Sequence, residues 1–133
     1  MAENAPRILV AEDNRVLADV LRFNLQRAGF AVTVALNGTI AIAHLQQEVF
    51  DLLITDFQMP GVNGEQLCQF VREELKLDQL PILMCSAKGL ELDIESLKSE
   101  YGVSQVIDKP FSMRQIVALA QTLIASKPSS LGV

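Results

Sequence analysis

Short apolar runs alternate along this chain with segments of helical period. Ile8-Leu9-Val10-Ala11, Leu52-Leu53-Ile54-Thr55, Ile82-Leu83-Met84-Cys85 and Val106-Ile107 read as strands buried on both faces, and Ala31-Val32-Thr33-Val34 as a shorter alternating one. Between them, Asn14 caps a helix in which Val16, Leu17, Val20, Leu21, Leu25 and Ala28 recur at three- and four-residue spacing, and Gly29 ends it. Asn37-Gly38 opens a second helix with Ile40, Ala41, His44 and Leu45 on one side. Residues 59–64, Met-Pro-Gly-Val-Asn-Gly, form a turn-rich loop. A third helix follows from Glu65 with Leu67, Phe70, Val71 and Leu75. Leu90, Ile94 and Leu97 mark a weaker fourth. The last is opened by a Ser112/Gln115 capping box and buries Met113, Ile116, Leu119, Ala120 and Leu123. Alternation of this kind predicts an α/β domain, a parallel sheet with helices on both faces.

The length of 133 residues suits one domain. Residues 1–6 read as a loose start, 7–125 as the domain, and 126–133 as a tail or the beginning of a linker. Half the residues are apolar and a fifth charged, a globular composition. No run approaches the roughly 20 apolar residues of a membrane span, and the first residues lack the apolar core of a signal peptide, so membrane insertion is not expected and the cytoplasm is the expected compartment. With 11 basic and 16 acidic residues the formal charge is −5, which gives no global attraction for nucleic acid. Cys68 and Cys85 have no ligand-spaced partner and read as packed thiols. His44, the one histidine, reads as structural or solvent-facing, since a single histidine rarely makes a ligand set.

Chemistry collects where the strands end. The first run stops at Glu12-Asp13, the second at Asp56, the third at Ser86, and the fourth runs through Asp108 to Lys109-Pro110. In an open parallel sheet these carboxyl ends lie on one edge, the edge where such sheets bind ligands. Three carboxylates so placed repel one another, and a divalent cation is the natural way to keep them ionised. Mg²⁺, a hard ion, typically takes one or two carboxylates and keeps several waters. A carboxylate can also attack phosphorus, with Lys109 supplying charge and Ser86 a hydroxyl for the transferring oxygens.

Arg7-Ile8-Leu9-Val10-Ala11-Glu12-Asp13-Asn14, Phe50-Asp51-Leu52-Leu53-Ile54-Thr55-Asp56-Phe57-Gln58-Met59-Pro60-Gly61, Pro81-Ile82-Leu83-Met84-Cys85-Ser86-Ala87 and Asp108-Lys109-Pro110-Phe111 resemble, in order and spacing, the receiver domain of two-component response regulators. The resemblance covers residues 7–125. It implies a single doubly wound, flavodoxin-like sheet of five parallel strands in the order 2-1-3-4-5, flanked by five helices. It implies that Asp56 is the phosphoacceptor, taking its phosphoryl group from a phosphohistidine of a sensor kinase or a phosphotransfer protein. Asp13 and Asp56 would then bind Mg²⁺ (or Mn²⁺) directly, Gln58 through its backbone carbonyl, and Glu12 through water. Ser86 and Lys109 would hold phosphoryl oxygens, and the Lys109-Pro110 bond would be cis. Gln58 and Lys88 would flank the path of the water that slowly removes the phosphoryl group. Such a protein is a signalling phosphoacceptor, not an enzyme acting on an external substrate. An output domain or partner would meet the face of the fourth and fifth helices.

One position departs from the family pattern. Receivers commonly carry an aromatic residue three before the site lysine, and here that residue is Val106. An aliphatic side chain cannot report the site through an aromatic rotamer change. The alternative reading is therefore a degenerate receiver that binds proteins without being phosphorylated. Glycine-rich nucleotide loops are absent from the sequence, and Glu12-Asp13 would repel a flavin phosphate unless a metal intervened.

Overall fold

In the computed structural model, which describes residues 4–87 and 92–126, five strands alternate with five α-helices. The strands are β1 (Arg7–Ala11), β2 (Ala31–Ala35), β3 (Leu52–Asp56), β4 (Ile82–Ala87) and β5 (Gln105–Lys109). The helices are α1 (Arg15–Arg27), α2 (Gly38–Gln47), α3 (Gly64–Gln69), α4 (Ile94–Tyr101) and α5 (Met113–Ala125). All four strand pairs are parallel, in the order β2-β1-β3-β4-β5. The change of direction from β1 places β2 to one side and β3 to the other. A crevice is thereby left at the carboxyl ends of β1 and β3.

Period-two alternation divides the apolar residues between two layers. Ile8, Val10, Leu52, Ile54, Leu83, Cys85 and Ile107 pack with Leu21 and Leu25 of α1 and Ile116 and Ala120 of α5. On the other face Leu9, Leu53, Ile82 and Met84 pack with Ala41 and Leu45 of α2, Leu67 and Cys68 of α3, and Leu97 of α4. Covering both faces explains why β3 is buried along its full length. Strand β5 differs. It is the sheet's edge, and only Ile107 is buried, so the expectation of burial on both faces fails for the fourth run.

Capping follows the sequence closely. Asn14, Asn37, Asn63, Asp93 and Ser112 each accept a backbone N–H from the first turn of a helix. Asn63 and Gln66 form a reciprocal capping box, whereas Ser112 supplies its own half, the bond from the Gln115 N–H. Two apolar stripes are narrower than their spacing suggested. Val16 and Val20 face solvent on α1, where Ala18 is buried instead, and Ile40 is exposed on α2. Ile94 is likewise exposed on α4, and Leu90 lies outside the described residues. Helix α3 runs on into a π-turn at Phe70–Glu74, capped by Leu75 and followed by Lys76 at φ 58.

Candidate functional site

Strand ends gather the acidic residues. Backbone pairing of β1 with β3 aligns Ala11 with Thr55, so Glu12 and Asp13 on one strand end stand beside Asp56 on the next. Carboxylate oxygens of Glu12, Asp13 and Asp56 lie within 4.8 Å of one another. Glu12 and Asp56 are buried, while Asp13 is exposed at the rim. Lys109, at the end of β5, reaches across β4 to place its Nζ 3.1 Å from Asp56 Oδ1 and 3.2 Å from Glu12 Oε1. The other Glu12 oxygen accepts the Asn14 N–H at 3.0 Å.

Burial sets the electrostatics. It pushes the Asp56 carboxyl above the ordinary aspartate range; Lys109 pulls it down and Asp13 raises it further. Burial raises Glu12 as well, against the Asn14 N–H and Lys109. Burial alone would lower the Lys109 pKa, but Asp56 and Glu12 together outweigh it and hold the ammonium above its usual range. The two nearby acids thus remain under-compensated by one cation. Three clustered carboxylates facing one ammonium, Glu12, Asp13 and Asp56 against Lys109, fit a hard divalent ion.

The loop after β3 is fixed by close packing. Phe57 N donates to Cys85 O at 2.7 Å, and Thr55 Oγ1 donates to Asp56 O at 3.0 Å. Gly64 N donates to Phe57 O at 2.8 Å, and a Cβ on Gly64 would stand 2.4 Å from Asp56 O. Only glycine lets the start of α3 approach the Asp56 backbone this closely. Sequence reasoning gave Gly64 a place in a turn and no role at the site. Its signal, a glycine following the Asn63 cap, does not distinguish a turn from a close approach. An open cavity of about 480 Å³, lined by Asp13, Phe57, Gln58, Met59, Pro60 and Asn63, adjoins the acidic cluster. A second, of about 440 Å³, is lined by Leu17, Ala87, Lys109, Pro110 and Phe111.

Glu12, Asp13, Asp56 and Lys109 therefore converge, and Gln58 is exposed beside them. The Lys109-Pro110 bond is cis. Ser86 is buried on the adjoining strand end, but its Oγ donates outward to Asp108 Oδ1 at 3.2 Å. Lys88 lies outside the described residues. Cys68 and Cys85 are buried free thiols whose pKa burial pushes up to about 12, which leaves them inert. His44 pairs with Glu48 at 3.0 Å on α2, remote from this edge, in line with a structural role.

A doubly wound five-stranded sheet with an acidic crevice and a lysine at its carboxyl edge defines a class of signalling receivers. The sequence matches the response regulator receiver domain family over residues 8–121, and the chain belongs to that family, part of two-component signalling. It is 37% identical over 128 residues to the phosphate regulon transcriptional regulatory protein PhoB of Rhizobium meliloti (strain 1021), covering 95% of this chain and 56% of the relative. The chain thus spans little more than half of that relative's length. The receiver domain of Francisella response regulator 1452 superposes with a TM-score of 0.80 at 26% identity, over 90% of this chain and 97% of that one. Chemotaxis protein CheY4 of Vibrio cholerae gives 0.81 at 25% identity, over 90% and 98%. No helix among the described residues is long and apolar enough to cross a membrane.

Proposed function

We propose that this receiver accepts a phosphoryl group on Asp56 and signals through the change in charge and packing that follows. The observation that carries this reading is the convergence of Glu12, Asp13 and Lys109 on a buried Asp56. One Asp56 oxygen attacks the phosphorus of a phosphohistidine on a sensor kinase or phosphotransfer protein. The O–P bond forms as the N–P bond breaks, and the released imidazole takes a proton from solvent. Lys109 Nζ neutralises charge on the transferring oxygens, and Ser86, buried on the adjoining strand end, would donate to one of them once its hydroxyl turns.

Asp13 and Asp56 would hold Mg²⁺ (or Mn²⁺), with the Gln58 carbonyl as a further ligand and Glu12 acting through water. When bound, the ion supplies charge neutralisation for the crowded carboxylates and the phosphoryl oxygens. The donor approaches over the carboxyl edge between α1 and the 109–111 loop. Exposed Val16 and Val20 and the apolar cavity beside Lys109 offer it contact area there. The phosphoryl group leaves slowly by water attack. The output is carried by a further domain or a separate protein, in keeping with the longer PhoB relative.

Incubation with Mg²⁺ and a small phosphodonor such as acetyl phosphate, followed by intact-mass measurement, gives one phosphoryl adduct in the parent protein and none in Asp56→Asn. Absence of the adduct in the parent would instead favour a protein-interaction module that is never phosphorylated.

A further inference from the structure

Two of the three groups assigned here to phosphoryl oxygens differ in where they point. Lys109 Nζ is aimed at Asp56, but the single hydroxyl proton of Ser86 is given to Asp108 Oδ1 at 3.2 Å. The contact is built into the sheet. Ser86 and Asp108 are register partners on β4 and β5, and in parallel strands such partners project to the same face. Ser86 is buried, whereas Asp108 is exposed on the sheet's edge strand. Two residues earlier on the same face of β5 stands Val106, packed against the α2, α3 and α4 layer and without any polar atom. Within this pair of strands Asp108 is thus the acceptor that draws the Ser86 hydroxyl outward.

We infer that Asp108 is a positioning residue: it holds Ser86 in a resting orientation, and phosphoryl oxygens on Asp56 must compete with its carboxylate for that hydroxyl. The inference rests on the reading of Asp56 as phosphoacceptor. A hydroxyl has one proton to donate, so the two hydrogen bonds exclude each other. The acceptor is a carboxylate, but at 3.2 Å the resting bond is longer than a charge-assisted hydrogen bond of full strength, so phosphoryl oxygens on Asp56 can win the hydroxyl from it. The competition couples the buried site to an exposed edge residue, and it does so without an aromatic side chain at position 106.

Beryllium fluoride with Mg²⁺, a non-covalent mimic of a carboxyl-bound phosphoryl group, reads this directly when titrated by NMR. Asp108→Ala tightens its apparent affinity by about fivefold, the worth of one exchanged hydrogen bond, and Asp108→Asn, which keeps a weaker acceptor, by less. In a Ser86→Ala background the same Asp108→Ala change has less than about a twofold effect, because the two residues act as one unit. An equal gain in both backgrounds would show that Asp108 acts only as a charge near the site, and no gain in either would show that it does not act; both overturn the inference. Failure of the parent protein to bind beryllium fluoride or to form the mass adduct would overturn the phosphoacceptor reading itself. Binding in the parent with no dependence on Asp108 would leave that reading standing and remove only this one.

Discussion

At Asp56 two effects oppose each other. Burial disfavours the carboxylate, and the Lys109 ammonium 3.1 Å away favours it, yet burial prevails and the group sits above the ordinary aspartate range. A carboxylate held in this way is poorly neutralised by the protein alone, which is the physical case for a bound cation. Asp13 is the exposed member of the cluster and so the one whose loss disturbs the fold least. Isothermal calorimetry is expected to detect weak Mg²⁺ binding in the parent protein and none in Asp13→Asn, with the far-UV spectrum unchanged. The identities of Glu12, Asp13, Asp56 and Lys109 as site candidates were legible from strand ends alone. Gly64 was not, because its importance is a distance to Asp56 O that only the folded loop creates.

Among the elements, the segment from β3 to α3 is the most constrained. The Gly64 Cα sits so near the Asp56 backbone that Gly64→Ala must displace either the loop or the helix start. The expected cost is about 2 kcal/mol or more in urea unfolding, accompanied by slower adduct formation at Asp56. Strand β5 has the opposite character, half exposed at the edge of the sheet. Val106 packs only partly against its layer, so Val106→Tyr is expected to be accommodated. Phosphorylation of Asp56 should then persist with partner affinity altered, as measured by the mass adduct and by binding to the cognate partner. Loss of the adduct itself would show that position 106 belongs to the site. The helices repeat the lesson of the strands. The caps at Asn14, Asn37 and Ser112 were readable because capping is a local bond, whereas Val16, Val20 and Ile40 were misplaced because spacing gives a stripe but not its width.

For the molecule as a whole, the site is a cost carried by the core. Asp56 and Glu12 both have folded-state pKa values raised above their unfolded ones, chiefly by burial. For such groups the contribution to stability is fully present below the unfolded pKa and is lost as pH rises through the folded value. Metal-free Asp56→Asn is therefore expected to melt higher than the parent near pH 7, on the order of 3 °C. Thermal unfolding across pH provides the check. The difference should shrink as pH falls through the raised Asp56 pKa and vanish below the ordinary aspartate value, and Mg²⁺ should narrow it at pH 7 by binding the native parent.

The apolar runs, the helical spacings and the turn residues determined the class of fold, because each is a local preference repeated often enough to leave one arrangement of layers. Which residues end each strand, and hence which chemistry shares an edge, followed from the same pattern. Tertiary structure decided what depends on distance between segments. It buried Asp56 and Glu12 while leaving Asp13 at the rim, brought Lys109 across β4 to both buried acids, and pressed Gly64 against the Asp56 backbone. It also turned the Ser86 hydroxyl towards Asp108, a pairing that no spacing announces, since register between β4 and β5 is fixed only when the sheet closes around its two cores.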